Sequence, residues 1–394
     1  MQWSSRAMLR LLIENSLDRE VHTMTEWKNY TLSEMVTIKY GKNQKKVASE
    51  NGTFPIYGTG GLMGYATEAL YSQPSVLIGR KGTIGKVKYV DHPFWTVDTL
   101  FYTVVNSDIV IPKFLFYVMS LIDLNNYNEG TTIPSLRTET LNRLEFRIPS
   151  LDTQKEILSY LNPIDDKIME NEKINNNLLE QALTMYATQF ATLDRNGCIG
   201  DYCSVKSGFA FKSSWWTTAG VKVIKIGSIN QDNLNLLECS YVDTDKIDKA
   251  KDFKVNAGDL LIAMTGATIG KFAMVPYSSE LLLVNQRVGK FFLGNKPVEK
   301  MPFIYCTLKQ PEVYGEVVNR GQGSAQPNIS ASDIMSIPCV IPSQDAINDF
   351  NGTAQPLFDL IISNQRENQQ LSEVRDTLLP KLMSGELDVS DIEI

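Results

Sequence analysis

The chain contains the same sequence frame twice. Gly130, Pro134, Ile148-Pro149-Ser150, Asp152, Asp166, Ile168, Asn171, Asn175 and Leu178 recur as Gly323, Pro327, Ile341-Pro342-Ser343, Asp345, Asp359, Ile361, Asn364, Asn368 and Leu371, every pair separated by the 193 positions from Gly130 to Gly323. Earlier, Thr83-Ile84-Gly85-Lys86 recurs as Thr268-Ile269-Gly270-Lys271, a step of 185. A register held this long is an internal duplication, and the change of step places length differences in the loops between. The fold must therefore be built from two units on one plan.

Residues 163–190 and 356–383 lack glycine and place apolar residues at helical spacing, so both read as long helices. With Ile164 as heptad position a, the seam runs Ile164, Asn171, Leu178 and Met185, and its copy runs Leu357, Asn364, Leu371 and Leu378, with Ile168 and Ile361 alongside. One asparagine interrupts each seam at the same place. A buried polar residue there fixes register and partner at a cost in stability, so the two helices are expected to pair with each other as an antiparallel coiled coil. Pro163 and Pro356 suit a first turn better than an interior, which predicts a short helix from about Asp152 and Asp345 and then a fresh start.

The segments before each helix are rich in glycine, β-branched residues and aromatics, with apolar runs at Ser75–Ile78 and Asp259–Ala263 that read as strands. The expected architecture is α/β: two tandem domains with twisted β-sheets, at 24–150 and 196–344, separated and followed by helical regions at 151–195 and 345–394, the whole an internal pseudo-twofold repeat. Residues 1–23 read as an N-terminal extension. Their apolar patch, Met8 to Ile13, is interrupted by Arg10 and is too short for a signal or an anchor. No apolar run approaches the ~20 residues of a membrane span. Five scattered cysteines without a CxxC pair, and two histidines, His22 and His92, give no zinc pattern and point to a reducing, cytoplasmic location without disulfides.

The formal net charge is -7, which is awkward for a nucleic-acid binder, but its distribution matters more. Residues 28–150 hold 13 basic and 10 acidic side chains and residues 196–344 hold 15 and 13, whereas 151–195 hold 4 and 8 and 345–394 hold 3 and 10. The acid is confined to the helical regions, and the two domains are mildly basic.

No catalytic pattern survives inspection. Gly79 to Lys86 is one residue too long for a P-loop, the copy around Gly266 and Gly270 is too short, and Val87 and Phe272 stand where a magnesium-binding hydroxyl is needed. Asn162-Pro163-Ile164-Asp165 lacks the second proline and the aromatic of a methyltransferase motif. Asp243, Asp245 and Asp248 lie in a lysine-studded polar stretch and read as a solvated loop rather than a nuclease centre. Neither a catalytic residue nor a metal site is expected.

Glycine-rich basic loops can instead bring backbone N–H groups and cations to phosphates. Lys42, Lys45, Lys46, Arg80, Lys81, Lys86, Lys206, Lys212, Lys271 and Arg287 are the candidates for phosphate or guanine contact. Tyr57 and Thr59 in Tyr57-Gly58-Thr59-Gly60-Gly61, Phe209 in Ser207-Gly208-Phe209-Ala210-Phe211-Lys212, Gln286 in Asn285-Gln286-Arg287, and Gln322 and Gln326 in the 321–327 loop are candidates for base contact. For each aromatic alone core packing is the commoner role, and Trp215 and Trp216 follow Phe209 closely.

The duplicated frame, the Ile164-Asp165-Asp166-Lys167-Ile168 run leading to Asn175, the Gly-Thr-Ile-Gly-Lys and Ser-Gly-Phe-Ala-Phe-Lys runs and the Ile-Pro-Ser elements resemble the specificity subunit of type I restriction-modification systems, over nearly the whole chain from Met24. The resemblance implies a non-catalytic subunit whose two domains each read one half of a split double-stranded DNA target, while the paired helices set the distance between halves. It implies two modification subunits docked on the helices, with restriction subunits joining them, and S-adenosylmethionine, ATP and magnesium held by those partners. A helix of about 30 residues spans ~45 Å, which suits half-sites ~34 Å apart on one DNA face. Two alternatives are the recognition subunit of a methylation-only complex and a scaffold that has lost DNA reading. A stand-alone methyltransferase or nuclease would require motifs absent here.

Overall fold

The computed structural model describes residues 27–321 and 327–387, the Lys246 side chain aside. The 1–23 extension and the candidates Gln322 and Gln326 lie outside the described residues. The chain divides into two compact units. One runs to Asp165 and resumes at Glu373, and the other is Asp166–Ser372.

The first unit centres on a four-stranded antiparallel sheet in the order Val36–Tyr40, Leu100–Val105, Ser75–Gly79, Val87–Val90. Ser75–Gly79 is buried along its whole length, as its unbroken apolar run requires. A three-stranded sheet follows the order Gly61–Ala66, Phe54–Gly58, Trp95–Thr96, its last pair parallel. Helix Pro112–Ser120 covers the larger sheet with Phe114 and Leu115, and Leu158, Leu161, Leu379, Leu382 and Met383 of the two long helices close the same core.

The second unit repeats the plan. Its four-stranded sheet runs Ser204–Ser207, Val288–Phe292, Leu260–Ala263, Phe272–Met274, and the parallel pair of the smaller sheet is Val221–Ile224 with Leu282–Val284. Register fixes the correspondence: Tyr40 and Ile78 face Phe101, as Ser207 and Ile262 face Gly289. The step between copies is thus 167 residues at Tyr40 and Ser207 and 184 at Ile78 and Ile262, so the second copy carries 17 more residues between these strands. They enlarge its smaller sheet to five strands and add the hairpin Ile229–Asn230/Asn233–Leu234.

The long helices are Leu151–Phe190 and Gln344–Ser384, and both run unbroken through their prolines. The expected restart at Pro163 and Pro356 is therefore corrected. Both prolines, and the residues four positions earlier, Ser159 and Gly352, face solvent, where a carbonyl deprived of its helical donor can be hydrated. On the other face Leu158, Leu161 and Ile164, and likewise Phe350, Ala354 and Phe358, are buried, and this packing outweighs one missing hydrogen bond.

Within the second unit the helices pair antiparallel. Asn171 donates to Asn368 Oδ1 and Glu367 Oε2, both at 2.8 Å, and Asn364 donates to Asn175 Oδ1 at 2.8 Å. Of the seam residues, Ile164, Asn171, Ile361 and Asn364 are buried and Ile168, Leu178, Leu357 and Leu371 are half-buried. Within the first unit Arg375 Nη1 lies 3.1 Å from Asp165 Oδ1.

Candidate nucleic-acid interface

Three segments converge at the same point of each copy. The N–H of Gly82 donates to Pro134 O at 2.9 Å and that of Gly266 to Pro327 O at 3.0 Å. The φ angles of these two glycines, +88° and +74°, are ones that side-chain-bearing residues rarely adopt. Thr59 Oγ1 lies 3.7 Å from the place a Cβ on Gly82 would occupy, and Ile226 Cδ1 lies 3.8 Å from the corresponding place on Gly266. Arg80 N–H donates to Thr99 O at 2.8 Å, and Met264 N–H to Arg287 O at 3.0 Å. The Gly-Thr-Ile-Gly-Lys run is thus part of a clip that joins a strand end, a turn and the proline loop.

This geometry corrects one expectation. The N–H groups of Arg80, Lys81 and Gly82 are all taken by protein carbonyls, of Thr99 and Pro134, so in the first copy the loop can offer a phosphate its side chains but not these amides. Gly79 is needed for close packing, since a Cβ there would stand 2.2 Å from Thr83 O.

In the first unit Lys42, Lys45, Lys46, Lys81 and Lys86 are exposed and Thr59 is half-buried at the turn. Gly41-Lys42 lies against the same region, with Lys42 N–H on Thr96 O and Lys42 O accepting from Trp95 Nε1. The Arg80 guanidinium sits 5.0 Å from the centre of the Tyr40 ring and donates to Asp98 O at 3.0 Å, which holds it at the surface in one orientation. Tyr57 is 7% exposed, its hydroxyl hydrogen-bonded with His92 Nε2 at 3.1 Å and the Lys88 ammonium 4.1 Å above its ring. Burial pushes its phenol up from the ordinary value. Tyr57 therefore props the turn and offers no free face for stacking. Lys88, two residues beyond Lys86 in the same basic run, is the cation sequence reasoning missed.

In the second unit a groove of about 560 Å³ is lined by Ser207, Thr265, Gln286, Arg287, Asn328 and Ser330, among others. Gln286 and Arg287 are exposed. The Thr265 hydroxyl is buried behind this wall without a hydrogen-bond partner. Lys206 and Lys212 are exposed and Lys271 is half-buried. Lys206 Nζ lies 4.9 Å from the centre of the Phe292 ring, on a strand whose Ser207 lines the groove. Phe209 stacks on Trp215 at 5.8 Å with an interplanar angle of 16° and touches Phe211 and Phe253. Its carbonyl accepts from Gln286 N–H at 2.9 Å. Packing claims Phe209, which positions the Gln286 backbone rather than a base.

Four of the five thiols are buried, and burial pushes Cys203 and Cys339 up to about 12, far from a nucleophile's range. Among the described residues no group of three or more His, Cys, Asp or Glu side chains is arranged to hold a metal. No described helix is long and apolar enough to cross a membrane.

Residues 24–181 and 195–373 each match the type I restriction modification DNA specificity domain. The chain belongs to that family. Among its relatives, the specificity subunit of the type I restriction enzyme MjaIX from Methanocaldococcus jannaschii is 25% identical over 363 residues, covering 82% of this chain and 80% of the relative. The HindI specificity subunit from Haemophilus influenzae is 22% identical over 387 residues, covering 77% and 84%. The crystal structure of the type I restriction-modification S subunit from M. genitalium shares the fold, with a TM-score of 0.52 and 17% identity over 93% of this chain and 98% of the other. The two family matches fall on the two copies of the duplication, so the tandem α/β architecture belongs to the DNA specificity family.

Proposed function

We propose that this chain is the DNA sequence-recognition subunit of a type I restriction-modification complex, with one half of a split double-stranded target read by each domain, 24–150 and 196–344. The observation that carries the reading is the duplicated loop cluster. One backbone clip is kept in both copies, while the side chains around it differ: Thr59, Lys81 and Thr99 in the first, Ile226, Thr265 and Arg287 in the second. A fixed frame whose surrounding side chains differ, with Lys81 exposed in one copy and Arg287 in the other, is what two different half-sites require. Lys42, Lys45, Lys46, Lys81, Lys86, Lys206, Lys212 and Lys271 neutralise phosphates, and Gln286, Arg287, Arg80 and Thr59 reach base edges. Gln322 and Gln326, which precede Pro327 in sequence, are proposed for base contact on their residue type alone.

The chain itself performs no bond-making step. Two modification subunits, carrying the S-adenosylmethionine chemistry, dock on the acidic outer faces of the long helices, since the seam residues are spent within the helix pair, and restriction subunits join them with ATP and magnesium. Each helix, of 40 and 41 residues, is about 60 Å long at 1.5 Å per residue, enough to space half-sites a DNA turn apart. The complex acts in the cytoplasm. Exchanging residues 196–344 for those of a relative tests the reading: one half of the methylated sequence should change and the other should stay. A change in both halves, or in neither, contradicts it.

A further inference from the structure

Strand Gly61–Ala66 lies at the edge of the first unit's three-stranded sheet and carries a β-bulge. Ile56 faces Gly64 and Tyr57 faces Leu62, which leaves Met63 as the extra residue. A bulge breaks the alternation of a strand, and here it sends two consecutive apolar side chains outward. Leu62 is 54% exposed and Met63 59%, with Tyr65 close behind at 46%. Elsewhere among the described residues the exposed large apolar side chains occur singly in sequence, which needs no explanation, whereas a run on an edge strand does.

The surroundings say what such a run meets. The turn before it, at Thr59, rests on Gly82 of the Arg80-Lys81 loop. Ile133, 60% exposed, precedes the proline whose carbonyl holds the Gly82 N–H. Arg80 lies over the exposed Tyr40 ring, and Lys88 lies over Tyr57, the residue paired with Leu62. A cation therefore lies on the residue paired with Leu62, and another on the exposed Tyr40 ring. Such cations draw phosphates, but leucine and methionine gain nothing from a phosphate and little from the small apolar surface of a sugar. On a duplex the thymine methyl is a small apolar complement, and the large one is the face of an unstacked base.

We infer that Leu62 and Met63 form a wedge that enters the base stack of the DNA at the half-site read by the first domain. The inference rests on the recognition reading above. The wedge is confined to one half: Val223 faces Ser240 as Ile56 faces Gly64, so Leu62 and Met63 correspond to Glu238, a charged residue, and Cys239, which is 8% exposed. The DNA should be unstacked on one side of the split target and not on the other.

The test uses the complete complex with its modification subunits and cognate duplexes carrying 2-aminopurine at successive positions of both half-sites. Fluorescence should rise at one step, in the first domain's half-site alone. The double variant L62S/M63S, both changes at exposed positions, should abolish that rise and weaken cognate binding ~10-fold, with random-sequence binding and its salt dependence unchanged. No rise at any position, or a rise that survives in the variant, overturns the wedge while leaving the recognition reading intact. A variant that no longer assembles with the modification subunits also overturns it, and makes the patch a protein-docking surface. Equal binding of cognate and random duplexes by the unaltered complex removes the recognition reading and the wedge together.

Discussion

Asn171 donates a hydrogen bond to Asn368 Oδ1 at 2.8 Å, and the same bond is made again, with the copies exchanged, from Asn364 to Asn175 at 2.8 Å. Each asparagine of the seam thus meets the copy of a residue four positions on, which only antiparallel helices in this register allow. Asn171 is 1% exposed and also donates to Glu367. Replacing Asn171 by leucine should cost about 1 kcal/mol, because the half-buried acceptors Asn368 and Glu367 lose their donor. Adding Asn368→Leu should return much of the loss, and denaturant unfolding of both variants checks this. Equal, additive losses would show that the pair is not coupled.

The two copies differ where the first carries Asp165 and Arg375. Asp165 accepts from Tyr117 Oη at 2.6 Å and from Arg375 at 3.1 Å, with Lys113 Nζ at 3.6 Å. A step of 193 carries Asp165 to Phe358 and relates Arg375 to Ala182, and these two are fully buried in one core cluster. Arg375→Ala alone should destabilise by about 1–3 kcal/mol, less than a fully buried pair would lose because Arg375 keeps some solvent. The double change D165F/R375A, which copies the other half, should recover most of it in thermal unfolding.

Three short helices share a capping box: Glu34 with Thr31, Asp201 with Cys198 and Asp333 with Ser330. Hydrogen bonds from the cap residues, backbone and side chain, hold all three carboxyls below their ordinary values. A depressed folded value means that the stability these groups supply is present above the ordinary carboxylate range and is lost as pH falls through the depressed values. The melting temperature should therefore drop on acidification, and E34Q/D201N/D333N should flatten that part of the profile. An unchanged acid limb would assign the loss to other groups.

Lys81→Ala should weaken binding to all DNA sequences alike and lower the salt slope by about one. Arg287→Ala should instead cost about 1–3 kcal/mol on the cognate site and relax one position of one half-site. Competition binding across single-base variants at two salt concentrations separates the two behaviours.

Much of this was legible in the sequence because it repeats. The 193-residue step placed the paired helices, and the apolar runs at Ser75 and Leu260 placed the central strands. The prolines mislead because local preference does not report that Pro163 and Pro356 face solvent. Tyr57 and Phe209 misled because an aromatic among glycines looks the same whether it stacks on a base or on Trp215. The clip between Gly82 and Pro134 could not be seen at all, since it joins segments about 50 residues apart through backbone atoms that no side-chain pattern reports. The bulge at Met63 is hidden for the same reason.

The most direct test of the central claim is the methylome of cells carrying this gene with its modification subunit, read base by base against a strain lacking the gene. The account predicts that methylation disappears at one split motif when the gene is removed and returns when it is restored. An identical methylome in both strains, with the modification subunit present, would contradict it.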